Sequence, residues 1–225
     1  MRACDRFFLI LLIAGTTARA DLVWEQRTSD TNGTRTATLK LRGDMMRLDQ
    51  PADSLSVICD LKTRDSFTLL TTNKTYLRRF GNEVRWEMEE EKKYHHGTNE
   101  MDRPPAPPAD TGKSENVAGR DTTVFQWTGA RGIAQKLWVD TNFPNYKAIR
   151  AELARVDLFN DTGPHRNAQP MLSRLPGMVL KSETVARGLH VTNELISVKL
   201  EPVDASLFNM PHDYTEWKRP EKKAP

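Results

Sequence analysis

The feature that most restricts what this chain can fold into is a period of two. In ATLKLR, Ala37, Leu39 and Leu41 alternate with Thr38, Lys40 and Arg42. Successive side chains of a strand point to opposite faces, so this spacing gives a sheet with one apolar and one wet side. SLSVICDL repeats it: Leu55, Val57, Cys59 and Leu61 share a face, and Ser54, Ser56 and Asp60 lie opposite. Phe67 and Leu69 continue the theme, and TNKT at 72–75 supplies a turn into TYLRRF. Short strands punctuated by turn residues about every ten positions predict an antiparallel sheet, barrel or sandwich.

The middle of the chain breaks the pattern. The stretch from Asn82 to His96 includes EMEEEKKYHH, rich in helix formers, and is expected to be helical. A connection near 97–118 follows, with prolines at 104, 105, 107 and 108 that favour an extended, stiff path over the surface of one domain. DTTVFQWTG and GIAQKLWVD then read as a hairpin about Gly129 to Gly132. Phe125 and Trp127 share one face of its first arm, and Leu137 and Val139 one face of its second. Pro144 suits the first turn of a helix, and Tyr146, Ile149, Leu153 and Val156 fall on one side of it. Asn160-Asp161 and Gly163-Pro164 end it. GMVLKSETVA and LHVTNELISVKL form a last pair of strands with Arg187-Gly188 at the bend. Their apolar parity slips between Val191 and Ile196, which predicts a bulge. Strands, a helix and strands again define an α+β fold dominated by antiparallel sheet.

The first twenty residues carry a separate message. Arg2 and Arg6 precede the apolar run FFLILLIAG, and TTARA closes on Ala18-Arg19-Ala20. This is the layout of a secretory signal peptide, 1–20, with cleavage expected after Ala20. The run is shorter than the ~20 residues that span a bilayer, and no second long apolar run follows, so the mature chain is expected to be soluble and exported, periplasmic or extracellular. Thr16, rather than a cysteine, follows Ala14-Gly15, which argues against a lipid anchor.

Cleavage would remove three of 33 basic residues and one of 30 acidic ones, leaving 30 against 29. The excess base gathers in a basic tail, 218–225, expected to be disordered. With no basic stripe elsewhere, nucleic acid is an unexpected partner. One cysteine, Cys59, remains, and its strand parity places it among buried apolar residues as an inert thiol. His95, His96 and Glu100 lack the spacing of a helix metal site, and His165, His190 and His212 are scattered. No G-x-S-x-G elbow or phosphate-cradling glycine loop occurs. Neither catalysis nor a cofactor is expected.

The ending is more distinctive. TNELISVKLEPVDASLFNMPHDYTE resembles the C-terminal signature of an uncharacterised family of exported bacterial proteins, in which a long last strand runs into P-x-x-x-F-x-x-P-x-x-Y. GDMMRLD, ICDLKTRDSFTLLTTNKTYL, AQKLWVD and LPGMVLKSET fit the same family in the same order. That family is similar in fold to the LolA and LppX class of periplasmic proteins. The resemblance implies a single domain over 21–217: a curved, incomplete β-barrel whose concave apolar side is lidded by helices and takes up acyl chains. It also implies that Asp204 caps a helical turn through Leu207, letting Leu207 and Phe208 plug one end of the sheet.

Two functions follow as expectations. One is a non-catalytic binding protein for acyl chains or another apolar ligand. Its cavity-lining candidates are Trp24, Leu39, Leu41, Met46, Phe125, Trp127, Leu137 and Trp138. The other is an envelope protein-protein interaction module with a filled core, docking partners through its edge strands or proline segment. A lined cavity and a filled core share one hydrophobic pattern, so the sequence leaves both open.

Overall fold

The computed structural model describes residues 21–83, 106–129, 132–160, 170–186 and 188–217. The first half supplies six strands: β1 (Leu22–Asp30), β2 (Gly33–Arg42), β3 (Met45–Gln50), β4 (Leu55–Asp60), β5 (Ser66–Leu70) and β6 (Thr75–Arg79). The second supplies β7 (Ala109–Val117), β8 (Arg120–Thr128), β9 (Ala134–Asp140), β10 (Met178–Ala186), β11 (Leu189–Leu200) and β12 (Thr215–Glu216). The α-helix α1 (Tyr146–Asn160) lies between β9 and β10, and residues 81–83 are helical as well. All these strands join one curved, unclosed sheet in the order β12-β6-β5-β4-β3-β2-β1-β11-β10-β9-β8-β7.

The alternating segments are strands as expected, and the sheet is antiparallel except at one edge. There β12 pairs in parallel with β6, so the sheet is mixed. The central seam joins the two ends of the chain: β1 pairs with β2 on one side and with β11 on the other, setting Trp24 opposite both Leu39 and Val198. The parity slip in β11 is a bulge. Glu25 faces Ser197 and Gln26 faces Leu195, so Ile196 is the extra residue and points outward, exposed.

Two expectations need correction. The connection near 97–118 is shorter than expected, because Ala109–Val117 forms β7, paired with β8 alone. It is an edge strand with one partner, and its residues other than Thr111 and Val117 are exposed, so it shows no alternation. Asp110 and Ser114 flank a break in its register, with Gly112 in a left-handed conformation (φ 69°) at the irregularity. Pro144 does not open the helix. It sits in the preceding turn, and Asn145, at φ 58°, redirects the chain so that its carbonyl accepts from the Ile149 N–H at 3.1 Å. Gly177, just before β10, is set by close approach: a Cβ there would collide with the Asp140 backbone across the β9–β10 junction. Of the helix expected over Asn82 to His96, residues up to Glu83 are described and helical. The signal peptide, the four prolines and the basic tail lie outside the described residues, save Pro107 and Pro108, which lead into β7.

The two faces of the sheet are covered differently. On one, α1 lays Ile149 and Leu153 against Leu22, Leu41, Met46, Cys59, Met178 and Leu180, with Tyr146 and Val156 flanking. These are the four positions whose spacing marked the helix's apolar side. The Tyr146 hydroxyl donates to the Leu175 carbonyl at 3.0 Å, fixing the helix to the loop before β10. On the other face, the terminal segment packs Val203 and Phe208 onto Ile58 and Leu69, with Leu207, Met210 and Tyr214 alongside. Asp204 caps the 3-10 turn Ala205–Phe208 by accepting from the Ser206 N–H at 2.9 Å, as the ending implied. That bond holds the Asp204 carboxyl below the usual range.

Candidate functional site

The side chains facing α1 form rows that run across the strands. One row is Leu200, Leu22, Leu41, Met46 and Cys59, each directly opposite the next. Four of the five are buried, and Leu200 is half-buried. The next row toward the far strand ends is Val198, Trp24, Leu39, Leu48 and Val57. Here burial falls away. Trp24 is 8% exposed, while Val198, Leu39, Leu48 and Val57 are each half-buried. An apolar stripe therefore continues from the buried row into a half-buried one. Five strands at ~4.8 Å spacing make it ~19 Å long.

The same face continues across β11 into β10, β9 and β8. Phe125, Leu137 and Val139 pack with Leu175 in a second cluster, and Leu172 touches both clusters. Between them lies a neutral polar group. Asn193 accepts from the Gln26 amide at 3.0 Å and from the Thr28 hydroxyl at 2.7 Å, and its own amide reaches the Ser182 hydroxyl at 3.4 Å.

Of the eight residues the sequence nominated, Trp24, Leu39, Leu41 and Met46 meet in the cluster under α1, and Phe125 and Leu137 in the second. Trp127 belongs to neither. Its indole N–H donates to the Ala106 carbonyl at 2.9 Å, and the residue is one of those lining an open groove of about 290 Å³ with Lys136, Glu183, Val185 and His190. Trp138 is on the reverse face, as the neighbour of Leu137 on a strand must be. Lys136 and Lys181 place their ammonium groups 4.2 and 4.6 Å from its ring centre, and its indole N–H donates to Glu115 at 2.7 Å. That bond, with Lys136 beside it, holds the Glu115 carboxyl low.

Leu48, Val57 and Val198 were missed. They fall into one row with Trp24 only through cross-strand register, which single-strand parity does not carry. Burial first, then Asp60 and Asp65, push the Cys59 thiol up to about 12, so it is an inert core group. Among the described residues no three His, Cys, Asp or Glu side chains converge on a metal position. His95, His96, Glu100 and His165 lie outside them. No described helix is long and apolar enough to cross a membrane.

No protein-family model matches the chain, nor does any curated protein. Solved structures do match. PNGF-II aligns with 88% of this chain at 13% identity and a TM-score of 0.41; the chain spans about a third (31%) of that protein's length. A putative outer membrane lipoprotein-sorting protein domain from Vibrio parahaemolyticus aligns with 84% of this chain and 89% of its own, at 14% identity and a TM-score of 0.28. An uncharacterized conserved protein from Thermus thermophilus aligns over 90% of this chain and 92% of its own at 6% identity. Its TM-score of 0.52 shows a shared fold: the unclosed sheet described above, nearly end to end.

Proposed function

We propose that this chain is an exported, non-catalytic binding protein for acyl chains or a comparably extended apolar ligand. The site is the stripe Val57–Leu48–Leu39–Trp24–Val198, with α1 as its cover. The observation that carries this reading is the fall in burial from one row to the next on one apolar face. Half-buried leucine and valine side chains aligned over ~19 Å present area that an extended hydrocarbon can remove from water. In this reading α1 is a partial lid: it packs on the first row, while most of the second stays half-buried.

Titration with saturated fatty acids of increasing length tests it, read by intrinsic fluorescence with Trp24→Phe as the reporter control. Burial contributes about 0.8 kcal/mol per methylene, so affinity should rise up to about fourfold with each added carbon. A response that does not saturate, or that ignores chain length, rejects the proposal.

A second reading keeps one observation of its own. β7 is an open edge whose backbone lies unpaired on one side among the described residues. A protein partner that adds a strand there would leave the apolar stripe unused. Its polar, register-broken sequence blunts such pairing, which favours the first reading.

A further inference from the structure

A polar group interrupts the apolar face. A sheet face that buries Leu22, Leu41, Leu137 and Phe125 has no packing reason to place Gln26, Thr28, Asn193 and Ser182 side by side. The bulge at Ile196 is what brings them together. By shifting β11 one residue against β1, it sets Leu195 opposite Gln26 and Asn193 opposite Thr28. Gln26 is two residues along β1 from Trp24, or ~7 Å, so the group borders the end of the stripe nearest β11.

We infer that this cluster receives the head of the bound molecule, and that the head is an uncharged acyl ester of glycerol type rather than a free carboxylate. The inference rests on the acyl-binding reading above. Asn193 Oδ1 is already the acceptor for two donors; the Ser182 O–H and the second N–H of Gln26 and of Asn193 remain to donate, and Gln26 Oε1 and Thr28 Oγ1 to accept, a mixed set suited to an ester carbonyl together with hydroxyl groups. Every side chain in it is neutral. The nearest charge in the register is Arg35, opposite Thr28, and Asp30 at 2.8 Å neutralises it. Beyond Ser182, β10 and β9 place Thr184 opposite Gln135, again without charge. A carboxylate entering this site would lose water without gaining a cation, whereas an ester would exchange its hydrogen bonds with little loss.

The test compares 1-palmitoyl-glycerol with palmitate at pH 7.4, both below aggregation, by calorimetry on the full mature chain. The ester should bind about tenfold more tightly. Asn193→Leu and Ser182→Ala should each remove that preference while palmitate binding stays within about twofold. Ser182→Ala is the milder change and keeps the test valid if Asn193→Leu alters the melting temperature. Equal binding of the two probes, or tighter binding of palmitate, overturns the head-group assignment and leaves the stripe standing. If neither probe binds, the acyl-binding reading itself is overturned and this inference goes with it.

Discussion

The two faces of this sheet are closed by different kinds of contact. The terminal segment is tied down by directional bonds from opposite ends of the chain. Arg42 donates to the Val203 carbonyl, Arg47 to the Leu207 carbonyl at 2.6 Å, and the Val203 N–H to the Asp21 carboxylate at 2.9 Å. β12 then adds two backbone bonds along β6, and Lys74 holds Asp213 at 2.7 Å. Across the sheet, α1 rests chiefly on apolar side chains. Its polar ties are Arg155 to Asp44 at 2.6 Å, Arg150 to the Ser173 carbonyl at 2.5 Å, the Asp157 carboxylate accepting from the Ser173 N–H at 2.8 Å, and the Tyr146 hydroxyl. Directional bonds fix one geometry, whereas apolar contact tolerates sliding. The strapped face is therefore the structural one, and the proposed function places ligand entry on the face under α1.

The largest expected effect tests whether the helix-covered face opens. Cys59 ends the row beneath α1, and a thiol raised from 9.0 to about 12 exposes roughly a thousandfold less thiolate at fixed pH. Alkylation of the native chain should be slower than in denaturant by at least that factor. If α1 lifts to admit ligand, labelling should exceed the rate set by global unfolding, and a bound fatty acid should suppress it. Equal rates in native and denatured protein would mean that this face is not closed at all.

On the strapped face, Phe208→Ala removes a buried ring from between Ile58 and Leu69. It should cost about 3–4 kcal/mol, measured by urea denaturation. Fatty-acid affinity in the folded fraction should not change. A loss of binding there would show that the two faces are coupled.

These contacts were unevenly legible in the sequence. Alternation marks a strand wherever one face is wet and the other dry, which is why β2, β4 and the β8–β9 hairpin are readable. The four-residue apolar side of α1 is readable for the same reason. β7 fails that criterion because neither of its faces is buried. β1 begins Leu22, Trp24 and then turns polar at Gln26 and Thr28, so its alternation fades midway. Register is a different matter. Trp24 meets Val198 only because the two ends of the chain pair, and nothing local in either segment encodes that. The candidate residues were consequently gathered by strand rather than by row, which placed Trp138 beside Leu137 and left out Leu48 and Val57. The ending was legible because its signals are local: an aspartate cap, one helical turn and two prolines.

A smaller effect concerns Asp49, on the strapped face. Burial pushes its carboxyl up, but hydrogen bonds from Lys40 at 2.9 Å, Ser56 at 2.8 Å and Arg47 at 2.7 Å together outweigh this, and its pKa is lowered. A carboxyl lowered in the folded state stabilises it above the unfolded value of ~3.9, and that stability is lost as pH falls through the folded value. Asp49→Asn should cost about 2 kcal/mol at pH 7 and progressively less on acidification. A cost independent of pH would assign the effect to shape rather than charge.

The smallest effect on stability should accompany the largest effect on binding. Leu48 stands between Leu39 and Val57 in the middle of the stripe and is half-buried. Truncating it to alanine removes contacts from a site already partly open to water, so no sealed cavity forms and the loss should stay below about 1 kcal/mol. A ligand lying along the stripe loses that same surface in the complex. Leu48→Ala should therefore weaken palmitate binding several-fold while the melting temperature moves by no more than a few degrees. Leu69→Ala, fully buried on the strapped face, should do the reverse. If both variants lose stability alike and neither changes binding, the two faces are equivalent halves of a filled core. The partner would then have to be sought at the open edge, β7.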